Sequence, residues 1–280
     1  MFVPSFFAGN FFVFQNIRLL FAGFVAFCCC ASSIYIINDY RDVENDRKHP
    51  EKKLRPLASG KIKKPVAVLI CIMLLVAGIV DAYFCDPSFK FIFILGIYFF
   101  MNLAYCFGLK NIAILDILIL AIGFVLRVKG GAAITNVDTS EWLIIMTFLL
   151  ALFLAIAKRR DDILLKLSTG NDMRKAVKEY NLDFLDGMLA LFSAIIIVAY
   201  IMYTVDIATQ ARLGTHRLYY TSLFVVAGVM RYLQITFVQQ KSGSPTSVLY
   251  KDIFIQVTIV LWIASFYTLL YMKGIIFFSR

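Results

Sequence analysis

Four oxygen-bearing side chains stand close together early in this chain: Asn38, Asp39, Asp42 and Asp46. Asn38, Asp42 and Asp46 fall at i, i+4 and i+8, so a helix continuing through them stacks three such groups along one stripe, with Asp39 beside it. Like charges one turn apart repel by roughly a few tenths of a kcal/mol per pair. The pattern therefore makes sense chiefly where a divalent ion offsets the repulsion. Magnesium suits it, because that ion takes oxygen ligands, keeps several waters and is commonly shared with substrate phosphates. The bases that follow, Arg47, Lys48, Lys52, Lys53 and Arg55, supply positive charge for such a phosphate.

A second segment, 158–183, again mixes bases and acids, opening with Lys158, Arg159 and Arg160 and then Asp161 and Asp162. It is richer in cations and poorer in regularly spaced acids than the first. It reads as a phosphate clamp, with Asp162 a second acidic contribution. Lys166, Arg174, Lys175 and Lys178 read as solvated charge at a membrane boundary. Asp116, Arg127, Arg231 and Tyr232 lie within apolar stretches, where polar groups are expensive and either pair structurally or serve function.

The elements that carry these groups are apolar. The chain of 280 residues is 61% hydrophobic and 16% charged, with mean hydropathy +0.80, which excludes an ordinary soluble domain. Runs near the roughly 20 residues needed to span a bilayer occur at 17–37, 67–84, 89–108, 112–134, 141–157, 184–204, 218–238 and 253–272. The opening MFVPSFFAGNFF is too short to span and reads as a clipped first helix or an interfacial piece. It lacks the marks of a signal peptide. The expectation is an all-α polytopic membrane bundle, 1–280 forming one domain. Placing 38–66 in the cytoplasm puts nineteen basic residues on that side against eight opposite, as positive-inside bias requires. The net charge of +10 does not indicate nucleic acid, since the bases cluster on one membrane face and no nucleic-acid module is visible. The six cysteines form no C-x-x-C pair, and two histidines make a histidine-rich zinc site a poor reading.

The segment NDYRDVENDRKHPEKKLRP resembles the N-D-x-x-D-x-x-x-D signature of the UbiA superfamily of membrane prenyltransferases. The similarity continues through LKNIAILDILILAIGFVLRVKGGAAI, KRRDDILL and MRYLQITFVQQKSGSP. These later segments look most like the branch that transfers phosphoribose to polyprenyl phosphate, the decaprenyl-phosphate phosphoribosyltransferases. The resemblance implies a nine-helix bundle with a central cavity open to lipid and cytoplasm, in a bacterial inner membrane. It implies Mg2+ on Asn38, Asp42 and Asp46, catalytic roles for Asp39 and Asp42, and phosphate contacts from Lys53 and Arg55. Further substrate contacts fall on Lys158, Arg159, Asp162, Arg231, Tyr232 and Arg127. KRRDDILL lacks the D-x-x-x-D spacing usual in members that use aromatic acceptors, and Thr246 and Ser247 stand where the phosphoribosyl branch often carries acids.

The implied reaction moves 5-phosphoribose from 5-phosphoribosyl diphosphate to a long-chain polyprenyl phosphate and releases diphosphate. Lys158 and Arg159 could grip either the sugar's 5-phosphate or the lipid phosphate. One rival keeps the fold and moves an isoprenoid from its diphosphate to a small aromatic acceptor. A remoter rival is a transporter of a phosphorylated metabolite, though no inverted repeat or paired broken helices can be read.

Overall fold

In the computed structural model, which describes residues 1–8, 13–48, 52–169, 175–239 and 245–271, every regular element among those residues is helical. The elements are α1 (Val3–Phe7), α2 (Phe14–Lys48), α3 (Lys64–Cys85), α4 (Lys90–Phe107), α5 (Leu115–Thr135), α6 (Glu141–Thr169), α7 (Leu182–Val205), α8 (Ile207–Leu213), α9 (Ser222–Phe237), α10 (Pro245–Lys251) and α11 (Ile253–Tyr271), with short 3₁₀ turns between some of them. Seven of them, α2 to α7 and α11, are long and apolar enough to cross a membrane. The all-α polytopic bundle expected from composition is what forms.

The stretch 218–238, read as an eighth span, divides into a 3₁₀ turn at Leu218–Thr221 and the 16-residue α9. The cause is local. The Thr221 hydroxyl donates to the Leu218 carbonyl at 2.5 Å and is 2.8 Å from the Tyr200 hydroxyl, so side chains compete with the regular helical ladder. Among its described residues the opening segment contributes α1, five residues long.

The chain separates into two compact units. One comprises residues 1–110 and 122–139, the other 111–121 and 140–280, so α5 gives its first turns to the second unit and its remainder to the first. In the first unit α2 packs chiefly on α3; in the second, α6 packs on α7 and α11 on α9.

Helix α3 shows why such helices adhere. Ala67, Cys71, Gly78, Ala82 and Cys85 form its buried face, whereas Leu69, Met73, Val76, Val80 and Phe84 are exposed. In lipid, apolar bulk gives no preference for the inside, so small residues that let backbones approach decide the interface. A Cβ on Gly78 would lie 3.1 Å from the Ala26 carbonyl oxygen and 3.3 Å from Cys29 Cβ of α2. The second unit holds a core around Leu152, Phe153, Ile156, Leu185 and Leu189.

This packing makes a prediction. Gly78→Leu separates α2 from α3 and lowers the thermal midpoint of the detergent-purified protein, whereas Phe84→Leu, on the exposed face, leaves it within error; a fluorescence melting curve of each variant reads the difference.

Candidate active site

Helix α2 does not stop where its apolar stretch ends. It continues unbroken to Lys48, so Asn38, Asp39, Asp42 and Asp46 are helical, as the spacing requires. Two bases divide them. Arg55 Nη1 donates to Asp39 Oδ1 at 2.7 Å and Asp46 Oδ2 at 3.0 Å. Lys110 Nζ donates to Asp42 Oδ2 at 2.6 Å and Asn38 Oδ1 at 3.0 Å. At about 100° per residue, positions 39 and 46 differ by about 20° around the helix, while 38 and 46 differ by about 80°. The i, i+4, i+8 stripe therefore fans out, and the four groups separate into two pairs, Asp39 with Asp46 and Asp42 with Asn38, with one cation each.

Each base is placed by its own local structure. The chain after α2 forms a 3₁₀ turn at Lys52–Leu54 and folds back, with Leu57 packed among Val43 and Ala67, and with Ile62 N–H bonded to the Pro56 carbonyl at 3.1 Å. Arg47 Nε reaches the Ala58 carbonyl at 3.3 Å from the α2 side. That brings Arg55 over the acids while Lys53 remains exposed. Helix α4 ends at Gly108, whose φ of +149° is accessible chiefly to glycine, and the following turn Leu109–Asn111 carries Lys110 back to α2. Arg41 bonds to the Cys106 carbonyl and lies 4.9 Å from the centre of the Phe107 ring, tying the end of α4 to α2. Lys110 was not singled out in the sequence. Its signal was a lone lysine in a short turn between two spans, on the face assigned to the acids.

The donor set fits a hard cation: three carboxylates and an amide oxygen within three helical turns. Among the described residues no three His, Cys, Asp or Glu groups are close enough to hold a metal by themselves. Magnesium binds through one or two carboxylates and completes its shell with water and phosphate.

In the second unit, residues 158–162 lie on α6 itself, not in a loop. Three consecutive bases spread around a helix, and only Lys158 is exposed. Arg159 is 2% exposed. Its Nε donates to Asp116 Oδ2 at 2.5 Å and its Nη1 to Asp162 Oδ2 at 2.6 Å. Arg160 is also buried, with Nε bonded to Asp186 Oδ1 at 2.5 Å. The expected cationic clamp thus has two of its three charges matched by carboxylates within the protein. Asp116 accepts a further bond from the Tyr180 hydroxyl at 2.8 Å. Burial pushes the Tyr180 phenol up to about 12, and the bond to Asp116 adds to the shift, so it stays a donor at neutral pH.

The remaining candidates are separately engaged. Arg231 binds Asp252 through Nε and Nη2, the latter at 2.7 Å, and its Nη1 meets Gln234 Oε1 at 2.8 Å. Asp252, at the start of α11, is held below the usual carboxylate range by the hydrogen bonds from Arg231. Tyr232 points elsewhere, buried against Phe153 with ring centres 5.1 Å apart. Arg127 donates to the Tyr98 hydroxyl at 2.8 Å and packs over the Tyr98 and Phe124 rings, in the apolar part of the first unit. His49 and Arg174 lie outside the described residues, as do the side chains of Lys48, Lys166, Lys175 and Thr246.

Helices of spanning length, with acids and bases paired at their polar ends, define an all-helical polytopic membrane bundle. Residues 2–258 match the UbiA prenyltransferase family, and the chain belongs to it. The decaprenyl-phosphate phosphoribosyltransferase of Mycolicibacterium smegmatis is 31% identical over 248 residues, covering 86% of this chain and 77% of that protein. The protein of the same name from Corynebacterium glutamicum is 30% identical over 242 residues, covering 86% and 72%. A UbiA homolog from Archaeoglobus fulgidus, solved bound to GPP and Mg2+, superposes with TM-score 0.70 at 18% identity over 96% of this chain and 94% of that one, which establishes the fold.

The buried ion pairs make a prediction. Asp116→Leu removes one of the carboxylates that match the buried Arg159 cation and costs stability approaching the roughly 3–5 kcal/mol of a broken buried pair. Asp116→Leu combined with Arg159→Leu costs less than that single change, as thermal unfolding in detergent will show.

Proposed function

We propose that this protein transfers 5-phosphoribose from 5-phosphoribosyl diphosphate to the phosphate of a long-chain polyprenyl lipid, residues 1–280 acting as one catalytic domain. The observation that carries the reading is the acid ladder of α2 held between Arg55 and Lys110. The relatives named decaprenyl-phosphate phosphoribosyltransferase support the choice of substrates. The positive-inside bias supports an inner membrane with the polar helix ends facing the cytoplasm.

In this reading Asn38, Asp42 and Asp46 hold Mg2+, with Asp39 beside them. The bound ion supplies Lewis-acid stabilisation to the departing diphosphate. Arg55 and Lys110 bring two positive charges to the same helix face, and Lys53 adds an exposed third. Such donors count for more in a site screened from water than in bulk. The bond from the anomeric carbon to diphosphate breaks as the lipid phosphate oxygen forms its own bond to that carbon. A phosphate monoester is already anionic near neutral pH, so no strong general base is needed, in keeping with a chain that has two histidines. In the second unit Lys158 offers an exposed cation to a substrate phosphate, and Asp162, held by Arg159, is a further candidate for a substrate contact. Arg231, Tyr232 and Arg127 hold helices through the contacts described, and a substrate contact from Arg231 requires its release from Asp252.

One observation favours a second reading, transfer of an isoprenoid from its diphosphate to a small acceptor. With Arg159 and Arg160 matched by carboxylates, residues 158–162 of α6 display one cation and the Asp162 carboxylate where three cations were expected.

Incubation of the purified protein with labelled phosphoribosyl diphosphate, polyprenyl phosphate and Mg2+ should yield a labelled lipid, and chelation should abolish it. Consumption of a prenyl diphosphate without labelled lipid would select the second reading. Asp42→Asn should lower turnover by at least about 100-fold while the melting curve persists; flux of a phosphorylated metabolite that persists without Mg2+ would mark a transporter instead.

A further inference from the structure

A groove of about 390 Å³ lies wholly within the second unit, lined by Trp142 of α6 and by Ala194, Ile195, Val198, Ala199 and Met202 of α7. The spacings of four in 194, 198 and 202 and in 195 and 199 gather those five on one side of α7. Leu185, Leu189, Ser193 and Ile196 are buried on another. The two alanines make the hollow, and the exposed Ile195, Val198 and Met202 make its walls. Residues 194 to 202 cover about 12 Å of helix. Both helices are long and apolar enough to cross a membrane, and the lining is apolar apart from the indole N–H, so the chemistry that fits the hollow is a hydrocarbon chain. Its volume lies at the lower end of those that hold small ligands, roughly 300–1,000 Å³.

A chain alone would be held no better there than in bulk lipid, because lipid tails are as apolar as the groove. The head group must decide, and the rim of the groove is charged. Helix α6 begins at Glu141, so Trp142 stands at the level where such rings mark the edge of the bilayer. Helix α7 ends at Val205, and Asp206 follows it. The Asp206 carboxylate accepts from the Thr209 N–H at 2.8 Å. Its bonds from Thr209 hold it below the usual carboxylate range, with the Trp142 indole and the Arg212 cation adding to the effect. The indole is therefore fixed over one end of the groove by Asp206, with Glu141 next to it in the chain and Arg212 close to the same carboxylate. Glu141 and Arg212 are exposed. Two acids and one base match a head group that carries both signs, with its phosphate toward Arg212 and its ammonium toward the acids.

We propose that this groove binds one zwitterionic phospholipid with a primary ammonium head group, a phosphatidylethanolamine, whose acyl chain lies along α7 and whose phosphate sits beside Arg212. Lys158 follows Trp142 by sixteen residues on the same helix, about 24 Å of its length. The lipid is thus held at the end of α6 opposite the exposed cation offered to a substrate phosphate. It is a resident lipid that fills the seam between α6 and α7, distinct from the lipid that reacts.

Native mass spectrometry of the full-length protein, delipidated in detergent and then titrated with phosphatidylethanolamine, tests the proposal. One lipid is expected to bind ahead of any other, and phosphatidylglycerol, which lacks the ammonium, to bind about tenfold more weakly, the order of one hydrogen bond to a charged group. Arg212→Gln should weaken phosphatidylethanolamine by a similar factor. Ala199→Phe fills the groove and should abolish the first binding event. Ala194→Met fills it from an exposed position and serves in its place where a melting curve shows that Ala199→Phe does not fold. Phosphatidylglycerol bound as tightly as phosphatidylethanolamine, unchanged affinity in Arg212→Gln, or unchanged affinity in a folded groove-filling variant would each overturn the proposal.

Discussion

A carboxylate at the edge of a bilayer keeps its charge only beside a cation or several hydrogen-bond donors, because desolvation otherwise costs more than the fold can supply. That constraint organises the polar half of this molecule. Asp39 and Asp46 share Arg55, Asp42 and Asn38 share Lys110, Asp116 and Asp162 share Arg159, Asp186 takes Arg160 and Asp252 takes Arg231. The pairs do not all serve the same end. Asp116–Arg159 is buried on both sides and welds α5 to α6 within the second unit. The α2 pairs are partly open, with Asp42 and Asp39 at 27% and 22% side-chain exposure and Asp46 buried at 5%. Partly open pairs of oxygen donors and bases suit a ligand that carries both signs of charge, as a magnesium diphosphate does.

The apolar half serves this arrangement by rigidity. Small residues let α2 and α3 approach until Gly78 nearly touches the Ala26 carbonyl, so the polar end of α2 is anchored by its buried length. The turn that carries Lys110 starts from a glycine no other residue replaces without strain, and Arg41 holds the end of α4 to the helix that bears the acids. These paired acids and bases sit on helices and tight turns, which favours fixed geometry at charged sites.

Much of this was legible in the sequence, and the exceptions share a cause. The spans other than 218–238 and the continuation of α2 through the acids follow from hydropathy and helical period. Pairing does not. Asp39 and Asp46 share Arg55 because seven residues bring a helix almost back to the same face, whereas the eight-residue stripe beginning at Asn38 drifts away. Lys110 and Tyr180 lie 68 and 64 residues from the carboxylates they contact, Asp42 and Asp116, and no local pattern announces such partners. Arg159 and Arg160 read as free cations because a run of bases looks uniform in one dimension. Around a helix, adjacent positions face different surroundings, and here two of the three face inward to acids. The division of 218–238 depended on one threonine hydroxyl bonding back to its own turn, a tertiary detail shared with Tyr200.

The central claim is that the acids of α2 hold a divalent ion jointly with a diphosphate. Titration of the purified protein with Mn2+ in the presence of diphosphate, read as loss of the free-ion paramagnetic resonance signal, measures that directly. The account predicts one saturable site that needs diphosphate for full affinity and disappears in the Asp42→Asn, Asp46→Asn double variant. Equal Mn2+ uptake by that variant and the unaltered protein would contradict it.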